Sequence, residues 1–494
     1  MTMSKNEGKF TVSEVIDSTG VSKFTWAMFV FLGIAMVFDG YDFMIVNVTN
    51  NSVAASFNLD GAAFKGSLTT WSLLGMIAGG ALGGILSDKF GRKKTLIAAI
   101  AFYSIFTFPQ AFAQDYTVFA LFRFIAGLGV GSCIPVVTTC FSETMPSKRR
   151  GIFITFGMSF MVLGWVLAGL IGGPITNHMA PLIPGFTEEL YNSAGEVIGY
   201  GNWRITYFIG AVPLVYAAFL LKFMHETPHW YANSGRIEQA VKRLAEIEKA
   251  AGRTPVERDP ALLAVPPKPE KTSPAVLFSR KYIMATCAIW STYFIGQFCV
   301  YGMNAWLPTW FLSLGYSPTQ ASSLHTWNNV AAIIANLCVG FVSDRFGRKR
   351  NLAFGWLLSI VVIVICSSFV VSGNFGLCLV LMLFFGFSLN YAITAVQPLM
   401  PENYPTQIRN MGVSWCQAFA RLGGALAPIL LGSLSASKTF QTVSAGGEAV
   451  SDWSKLVLIL IIPLALGFIC TLIFVKRETK GKSMDELQEE IEES

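Results

Sequence analysis

Two heptapeptides, DKFGRKK at Asp88–Lys94 and DRFGRKR at Asp344–Arg350, carry the same pattern 256 residues apart. Each follows an apolar run long enough to cross a bilayer, which requires about 20 residues. A second pattern, Glu-x-x-Pro-x-x-x-Arg, stands at Glu143–Arg150 and returns at Glu402–Arg409, 259 residues later. Two independent motifs that recur at nearly the same offset predict a chain made of two similar halves.

The composition indicates that most of this chain lies in lipid. Its 494 residues are 53% hydrophobic and 13% charged, and the mean hydropathy is +0.52. An ordinary soluble domain carries about 25% charged residues. The net charge of +6 does not indicate nucleic acid as a partner, because the basic residues flank apolar segments and therefore serve as topology signals.

The apolar runs predict an all-α polytopic membrane protein with about twelve transmembrane helices in two six-helix bundles. The predicted spans lie near 25–48, 68–86, 95–113, 117–141, 151–176, 203–224, 282–304, 322–342, 351–371, 376–400, 410–434 and 453–475. We expect four regions: the first bundle with a short N-terminal segment (1–224), a linker (225–280), the second bundle (281–475) and a tail (476–494).

Lys and Arg are distributed unequally between the loops, which predicts the orientation. They cluster after spans two, four and eight, whereas the loops 177–202 and 305–321 contain none. The positive-inside rule places both termini and the linker in the cytoplasm, so we expect a multi-pass protein of the cell (inner) membrane. The first 24 residues are polar and lack a signal-peptide core.

The linker divides into two parts. Residues 235–252 place Ile237, Ala240, Val241 and Leu244 on one face, which predicts a short amphipathic helix lying against the membrane domain. The Pro-rich stretch that follows is predicted to be extended.

No residue pattern indicates an enzyme. The nine cysteines contain no CxxC pair, the four histidines have no metal-ligand spacing, and no nucleophile–base arrangement is visible. We therefore expect no catalytic residue, no metal and no cofactor. The expected partners are a small-molecule substrate, protons and the lipid bilayer, with no nucleic acid, and the chain is expected to act as a monomer.

The repeated Asp-[Lys/Arg]-Phe-Gly-Arg-Lys motif resembles the signature of the major facilitator superfamily. Arg123-x-x-x-Gly-x-Gly-x-Gly131, the Glu-Pro-Arg repeats, residues 226–230 and residues 478–481 look like sugar-porter signatures. The resemblance implies two six-helix bundles, alternating access and a cytoplasmic gate whose charged groups pair when the inside is shut. The implied gate residues are Asp88, Arg92, Glu143, Arg150, Asp344, Arg348, Glu402 and Arg409.

Asp42 and Arg123 are charged residues inside predicted spans, where each charge costs about 3 kcal/mol or more. Each lies about six residues from the outer end of its span, or roughly 9 Å deep, so a salt bridge is geometrically reasonable. The pair could be purely structural. Alternatively, Asp42 takes up a proton and releases Arg123, which the resemblance to proton-coupled sugar-porter relatives favours.

Asp39 and Arg421 are a second candidate pair. Asp39 is one helical turn before Asp42, and Arg421 lies about twelve residues into span eleven. The two could form a constant structural pair, or Arg421 could offer its planar fork to a substrate carboxylate. Asp39-Gly-Tyr-Asp42 resembles the Asp-Gly-[Phe/Tyr]-Asp signature of aromatic-acid:proton symporters, and Arg421-Leu-Gly-Gly424 resembles the arginine of organic-anion carriers.

Polar and aromatic residues in the spans are candidates for the substrate cavity. The predicted binding residues are Arg421, Tyr41, Gln297, Tyr301, Asn304, Trp327, Asn328, Tyr391 and Gln417. Span seven departs from the sugar-porter pattern, because Gln297 is followed by Phe298 rather than by a second Gln.

These features together predict proton-coupled uptake of a small organic anion, a carboxylate that includes aromatic acids. The residues predicted to couple protons are Asp39, Asp42 and Arg123. A sugar or polyol symporter remains an alternative in which Arg421 is structural. An exporter or a transporter-like receptor is a further alternative.

Overall fold

The protein is described by a computed structural model over residues 10–59, 62–146, 150–184, 186–191, 197–264, 273–370, 374–404, 408–443 and 449–475. Within these ranges, twelve helices are long and apolar enough to cross a membrane. The predicted number of spans is therefore confirmed.

Six spans make up the first bundle, and three of them are interrupted near one end. Their bounds are Lys23–Ser56 (span 1), Ala62–Phe90 (span 2), Arg92–Thr107 with the 3-10 turn Phe108–Phe112 (span 3), Tyr116–Thr144 (span 4), Arg150–Leu167 with the π turn Ala168–Gly172 and Gly173–Thr176 (span 5), and Trp203–Ile209 with Val212–Phe223 (span 6).

The second bundle repeats this arrangement. Its bounds are Ile283–Ser313 (span 7), Pro318–Phe346 (span 8), Arg348–Phe369 (span 9), Phe375–Val396 followed by the short helix Leu399–Glu402 (span 10), Arg409–Ser435 (span 11), and Trp453–Leu458 with Ile461–Phe474 (span 12). We call the side of the bundles that carries the linker and the loops at Gly91 and Gly347 the linker side, and the opposite side the far side.

The glycine of each repeated heptapeptide makes the turn between two spans. Gly91 and Gly347 have φ values of 105° and 97°, in the region that only glycine enters without strain. Each residue ends one span and begins the next. The repeated motif is thus a tight helix–turn–helix corner at the same place in both halves.

Close helix contact in the first bundle depends on glycine. A Cβ at Gly79 would lie 2.0 Å from the carbonyl oxygen of Leu128, and one at Gly40 would lie 2.0 Å from that of Met161. Spans 2 and 4, and spans 1 and 5, therefore pack backbone against backbone, as small residues allow in membranes. Large apolar side chains such as Val215 and Phe341, each 74% exposed, cover the outside.

The linker helix, Ile237–Ala250, exists as predicted. It packs against the short helix Pro228–Asn233 and against a further helix, Val12–Thr19, neither of which was predicted. Ala240 and Leu244 pack against Val12 and Val15 in a small core of their own. These helices cover its apolar face, while the Arg243 guanidinium lies 5.5 Å from the centre of the Phe24 ring at the start of span 1, so the linker helix also contacts the membrane domain.

The stretch after the linker helix is anchored rather than simply extended. Phe10 forms a β-bridge with Leu263, and Glu248 binds the guanidinium of Arg258 at 2.7 Å. Short 3-10 turns occupy Pro260–Leu262 and Pro274–Phe278. The N-terminal segment and the linker thus form one unit.

Two short antiparallel strand pairs cover the far side, and the all-α prediction did not include them. They are Glu189–Tyr191 with Val197–Tyr200, and Gln441–Val443 with Ala449–Ser451, the latter preceded by the 3-10 turn Lys438–Phe440. Arg204 attaches the first pair to span 6 and span 3, since it binds Glu188 at 3.0 Å and donates to the carbonyls of Ala111 and Ala113.

Candidate substrate and proton site

Asp42 and Arg123 form a buried ion pair inside the first bundle. Arg123 Nη1 lies 3.1 Å from Asp42 Oδ2, and both side chains are almost fully buried. Thr107 donates to Asp42 Oδ1 at 2.5 Å, and Arg123 Nε donates to Ser72 at 2.7 Å. Four spans thus meet at this pair, as the predicted depths required.

Asp39 is also buried, at 1% exposure, but its surroundings differ. Its Oδ1 has no hydrogen-bond partner among the described residues. The Cys133 thiol is a hydrogen-bonding neighbour, and Asp42 and Arg421 are within electrostatic range. Asp39 therefore has no constant cation like that of Asp42, and its charge depends on what approaches it.

Arg421 extends from the second bundle into the first. Its Nη1 donates to the Met76 carbonyl in span 2 at 2.9 Å and would lie 2.6 Å from a Cβ at Gly80. No carboxylate lies within 4.0 Å of the guanidinium among the described residues, Asp39 included. Arg421 is 8% exposed, and within the described part of the chain its guanidinium makes one hydrogen bond, to a neutral carbonyl.

Aromatic side chains surround the region beside Arg421. The ring of Tyr301 lies 5.1 Å from that of Phe43 and 6.0 Å from that of Trp165, so spans 1, 5 and 7 meet there. Tyr293 and Tyr301 both interact electrostatically with Arg421. An aromatic wall beside a guanidinium is suited to a planar carboxylate.

Two other predicted cavity residues on spans 7 and 11 lie on the same faces. Gln297 falls between Tyr293 and Tyr301 at helical spacing, is buried, and has an Oε1 without a partner among the described residues. Gln417 is half-buried, one turn before Arg421. Helical spacing therefore places both residues on the faces that carry Tyr293, Tyr301 and Arg421, and their role in binding stays a prediction.

Asn304 takes part in a buried polar cluster of the second bundle. Its Oδ1 lies 3.0 Å from Nε2 of His325, which is also 3.5 Å from Nδ2 of Asn329. Asn304 Nδ2 donates to the Val300 carbonyl. This cluster connects spans 7 and 8 on the far-side end of the site.

Four predicted cavity residues are not brought together with Arg421. The Tyr41 hydroxyl contacts the Thr206 carbonyl of span 6, and the Tyr391 hydroxyl bonds to Asn351 of span 9. Asn328 packs against Gly386 of span 10.

Trp327 is the fourth of these residues, and it is 43% exposed. Its neighbours in span 8 face other helices: His325 faces span 7, Thr326 faces span 5 and Asn328 faces span 10. The helical phase therefore points Trp327 outward. Sequence depth alone cannot distinguish these faces.

The gate residues form clusters within each half. Arg92 binds Asp88 at 3.0 Å and Glu143 at 2.8 Å, while Arg348 lies 3.3 Å from Glu402. The side chains of Arg150, Asp344 and Arg409 fall outside the described set. The pairing of these residues across the two halves, in a conformation shut at the linker side, stays a prediction.

The sequence reading did not assign a role to Glu226, which completes the first gate cluster. Glu226 accepts the backbone N–H groups of Arg92 and Lys93 at 2.9 and 3.2 Å, and Thr227 donates to Glu143. Burial raises the pKa of Glu226, and the backbone N–H groups of Thr227, Lys93 and Arg92 oppose that effect. Glu226 begins the 226–230 signature, so the motif itself was the available signal.

Described side-chain contacts between the bundles lie in the middle and far-side parts of the spans. Thr70 donates to the Ala425 carbonyl at 2.9 Å, and Thr309 donates to Asn51 at 3.3 Å. Towards the linker side, Ile85 of span 2 and Trp415 of span 11 are 66% and 49% exposed. These contacts close the far side.

Two six-helix bundles that meet around buried charges define a membrane transporter of the major facilitator superfamily. The sequence profile described as "Sugar (and other) transporter" matches residues 25–491, and the chain therefore belongs to this family. It is a multi-pass membrane transporter rather than an enzyme.

Several relatives carry names of acid transporters. The chain is 26% identical to the niacin transporter NiaP of Acinetobacter baylyi over 96% of this chain and 98% of that protein. It is 28% identical to the 4-hydroxybenzoate transporter PcaK of Pseudomonas putida, over 84% of this chain and 87% of that protein.

Solved structures share the fold. The partially occluded inward-open conformation of the xylose transporter XylE from E. coli aligns with a TM-score of 0.69 at 18% identity, over 94% of this chain and 100% of that chain. A bacterial homologue of the human lysosomal transporter Spinster, in an inward-facing conformation, aligns with a TM-score of 0.68 at 16% identity, over 94% of this chain and 100% of that chain.

Proposed function

We propose that this transporter carries a small organic anion, an aromatic carboxylate in particular, together with a proton. The observation that carries this proposal is Arg421: a buried guanidinium that crosses from one bundle to the other and has no carboxylate within 4.0 Å among the described residues. Such a cation is costly in the membrane unless a ligand supplies the missing anion. The carboxylates suggested by the relatives' names support the same substrate class.

Arg421 binds the substrate carboxylate in this proposal. The planar fork replaces its single bond to the Met76 carbonyl with two parallel bonds to carboxylate oxygens. Tyr301 with Phe43 and Trp165 provides the surface for the ring, and the unpartnered Gln297 amide oxygen accepts from a substituent that donates.

Asp42 and Arg123 couple this step to the proton. Protonation of Asp42 removes the charge that holds Arg123, and the two spans then separate at lower cost. Asp39 lies one turn away and within electrostatic range of Arg421, so its protonation accompanies arrival of the substrate anion. Neutral buried groups allow the bundles to rock about the site.

The orientation belongs to the same proposal. In this proposal the carrier is a monomer in the inner membrane, with its linker side in the cytoplasm. The far-side contacts then shut it to the outside. The gate clusters at Arg92 and Arg348 would then pair across the halves when the carrier turns outward.

Proteoliposomes that contain a pH-sensitive dye test the proposal. Adding benzoates, short carboxylates or hexoses outside should acidify the lumen only for the acids, and Asp42→Asn should abolish the signal. Empty liposomes correct for diffusion of undissociated acid. Proton entry with hexoses alone would favour the sugar-symporter alternative and make Arg421 a structural residue.

A further inference from the structure

A cavity of about 210 Å³ lies on the far side, between the bundles and beneath the strand pair that ends at Tyr200. Its walls come from both bundles. Residues that line it include Asn51, Ala55, Thr176, Tyr200, Ser322 and His325. Arg421 and Asp39 do not line it, so it lies on the far side of the anion site and shares with that site only His325 of the Asn304 cluster.

The size of this far-side cavity fits one aromatic ring with a small substituent. An engineered protein cavity of about 150 Å³ binds benzene. The far-side cavity is moderately larger and carries polar groups on several sides.

The lining favours an uncharged ligand that forms hydrogen bonds. None of the described residues that line the cavity is Lys, Arg, Asp or Glu. The hydroxyl of Thr176, which is 4% exposed, has no hydrogen-bond partner among the described residues. A buried hydroxyl without a partner is unfavourable, and a ligand that donates or accepts there removes the penalty.

Hydrogen bonds that join the two bundles run through the wall of this cavity. Asn177 donates to the Pro318 carbonyl at 3.2 Å, and Asn51 accepts from Thr309 at 3.3 Å. Ser322 and Thr326 of span 8 lie directly against Gly173 and Gly169 of span 5. A ligand in the cavity therefore contacts both bundles only while the far side is closed.

We propose that the far-side cavity binds an uncharged one-ring aromatic molecule with a hydroxyl or carboxamide group, and that the ligand inhibits transport by holding the far side shut. A ligand that binds one conformation preferentially shifts the equilibrium towards it. This inference does not depend on which solute Arg421 carries.

Benzamide is a suitable probe, tested on the purified full-length chain by isothermal titration calorimetry. We expect saturable binding to the wild type and to Arg421→Ala with equal affinity. Ala55→Leu fills the cavity and should weaken binding at least tenfold, and Thr176→Val, which removes only the hydroxyl, should weaken it about fivefold. Ala27→Leu, at an exposed position of the same span, is the matched control and should bind normally.

The variants separate this proposal from the anion site. Loss of benzamide binding in Arg421→Ala would place the probe at the anion site and overturn the far-side assignment, as would absence of saturable binding to the wild type. Unchanged affinity in Ala55→Leu would do the same. If Ala55→Leu fails to elute as a folded monodisperse protein, Thr176→Val decides: an unchanged affinity there contradicts the proposal.

Discussion

At the scale of single residues, Asp39 and Asp42 are both buried in span 1 but have different partners. Asp42 Oδ2 lies 3.1 Å from Arg123 Nη1 as an ion pair, and Thr107 and Ser72 bond to other atoms of the two side chains, whereas Asp39 Oδ1 has neither a cation within 4.0 Å nor a hydrogen-bond partner among the described residues. Two carboxylates one helical turn apart thus have different surroundings because different helices face them.

Asp42→Asn should uncouple proton entry from transport. The substitution keeps the side-chain shape but leaves Arg123 without a counter-ion, which costs about 3 kcal/mol or more when one partner of a buried pair is removed. We expect at least a tenfold loss of pH-driven accumulation and a lower thermal midpoint, while exchange of substrate across the liposome membrane persists. Asp17→Asn, at an exposed carboxylate of the N-terminal helix, is the control. Wild-type proton influx in Asp42→Asn would assign the pair a structural role only.

Arg421→Lys should reduce affinity for a carboxylate substrate at least tenfold. Lys keeps the charge but lacks the planar fork that binds both carboxylate oxygens. KM should rise while the amount of folded protein stays unchanged. Initial uptake rates measure KM, and size-exclusion elution measures the folded protein. Equal KM values for Lys and Arg would argue against direct contact with the carboxylate.

Among the helices, span 2 shows how one element can serve both packing and the site. Gly79 touches the backbone of span 4, Gly80 touches the guanidinium of Arg421, and Gly84 has open space where a Cβ would lie. Three glycines of one helix therefore have three different neighbours.

Alanine at these three positions should give three distinct outcomes. Gly79→Ala forces a Cβ to 2.0 Å from a carbonyl oxygen and should destabilise the protein by about 1–3 kcal/mol. Gly80→Ala displaces only the end of a flexible side chain and should raise KM without unfolding. Gly84→Ala should be neutral or slightly stabilising. Thermal midpoints and uptake kinetics measure these effects, and an unfolded Gly84→Ala variant would contradict the described packing.

The linker depends on the ion pair between Glu248 and Arg258. The hydrogen bond from Arg258 lowers the pKa of Glu248, so the pair contributes stability fully above the unfolded value of about 4.3 and loses it as the pH falls through the folded value. At neutral pH, Arg258→Ala should speed hydrogen exchange at Val256, whose N–H donates to Glu248. Lys242→Ala, at an exposed position of the same helix, is the control. Equal exchange rates would show that the segment is held by other contacts.

On the scale of the whole molecule, the two bundles meet at the far side and in the middle. Three residues of the second half, Tyr301, Ala332 and Ala425, belong to the hydrophobic core of the first. A carrier that works by alternating access must break these contacts in each cycle.

A disulfide across the far side should therefore stop transport. Asn51→Cys with Thr309→Cys, in a Cys287→Ser background that removes an exposed thiol, joins side chains whose polar atoms lie 3.3 Å apart. Oxidation should abolish uptake, and reduction should restore it; each single cysteine variant should be insensitive. Undiminished uptake by the oxidised double variant would exclude movement at this contact.

Much of the architecture could be predicted because its signals are local. Apolar length gives the spans, and Gly91 and Gly347 mark the same corner in each half. Asp42 and Arg123 could be paired because both depths were measurable by counting from the same membrane surface. Trp327 and Tyr391 could not be placed, since depth carries no information about the direction a helix face takes.

The sequence by itself determined that this chain spans the membrane twelve times in two related halves and that charged groups lie within it, because hydrophobic length, repeated motifs and buried charge are properties of single segments. Only the tertiary structure decided that Arg421 reaches Met76 rather than Asp39, that the N-terminal helix covers the linker helix, and that a cavity remains at the far side. These contacts join segments far apart in the chain, and helix rotation and tilt, which residue spacing does not specify, determine which faces meet.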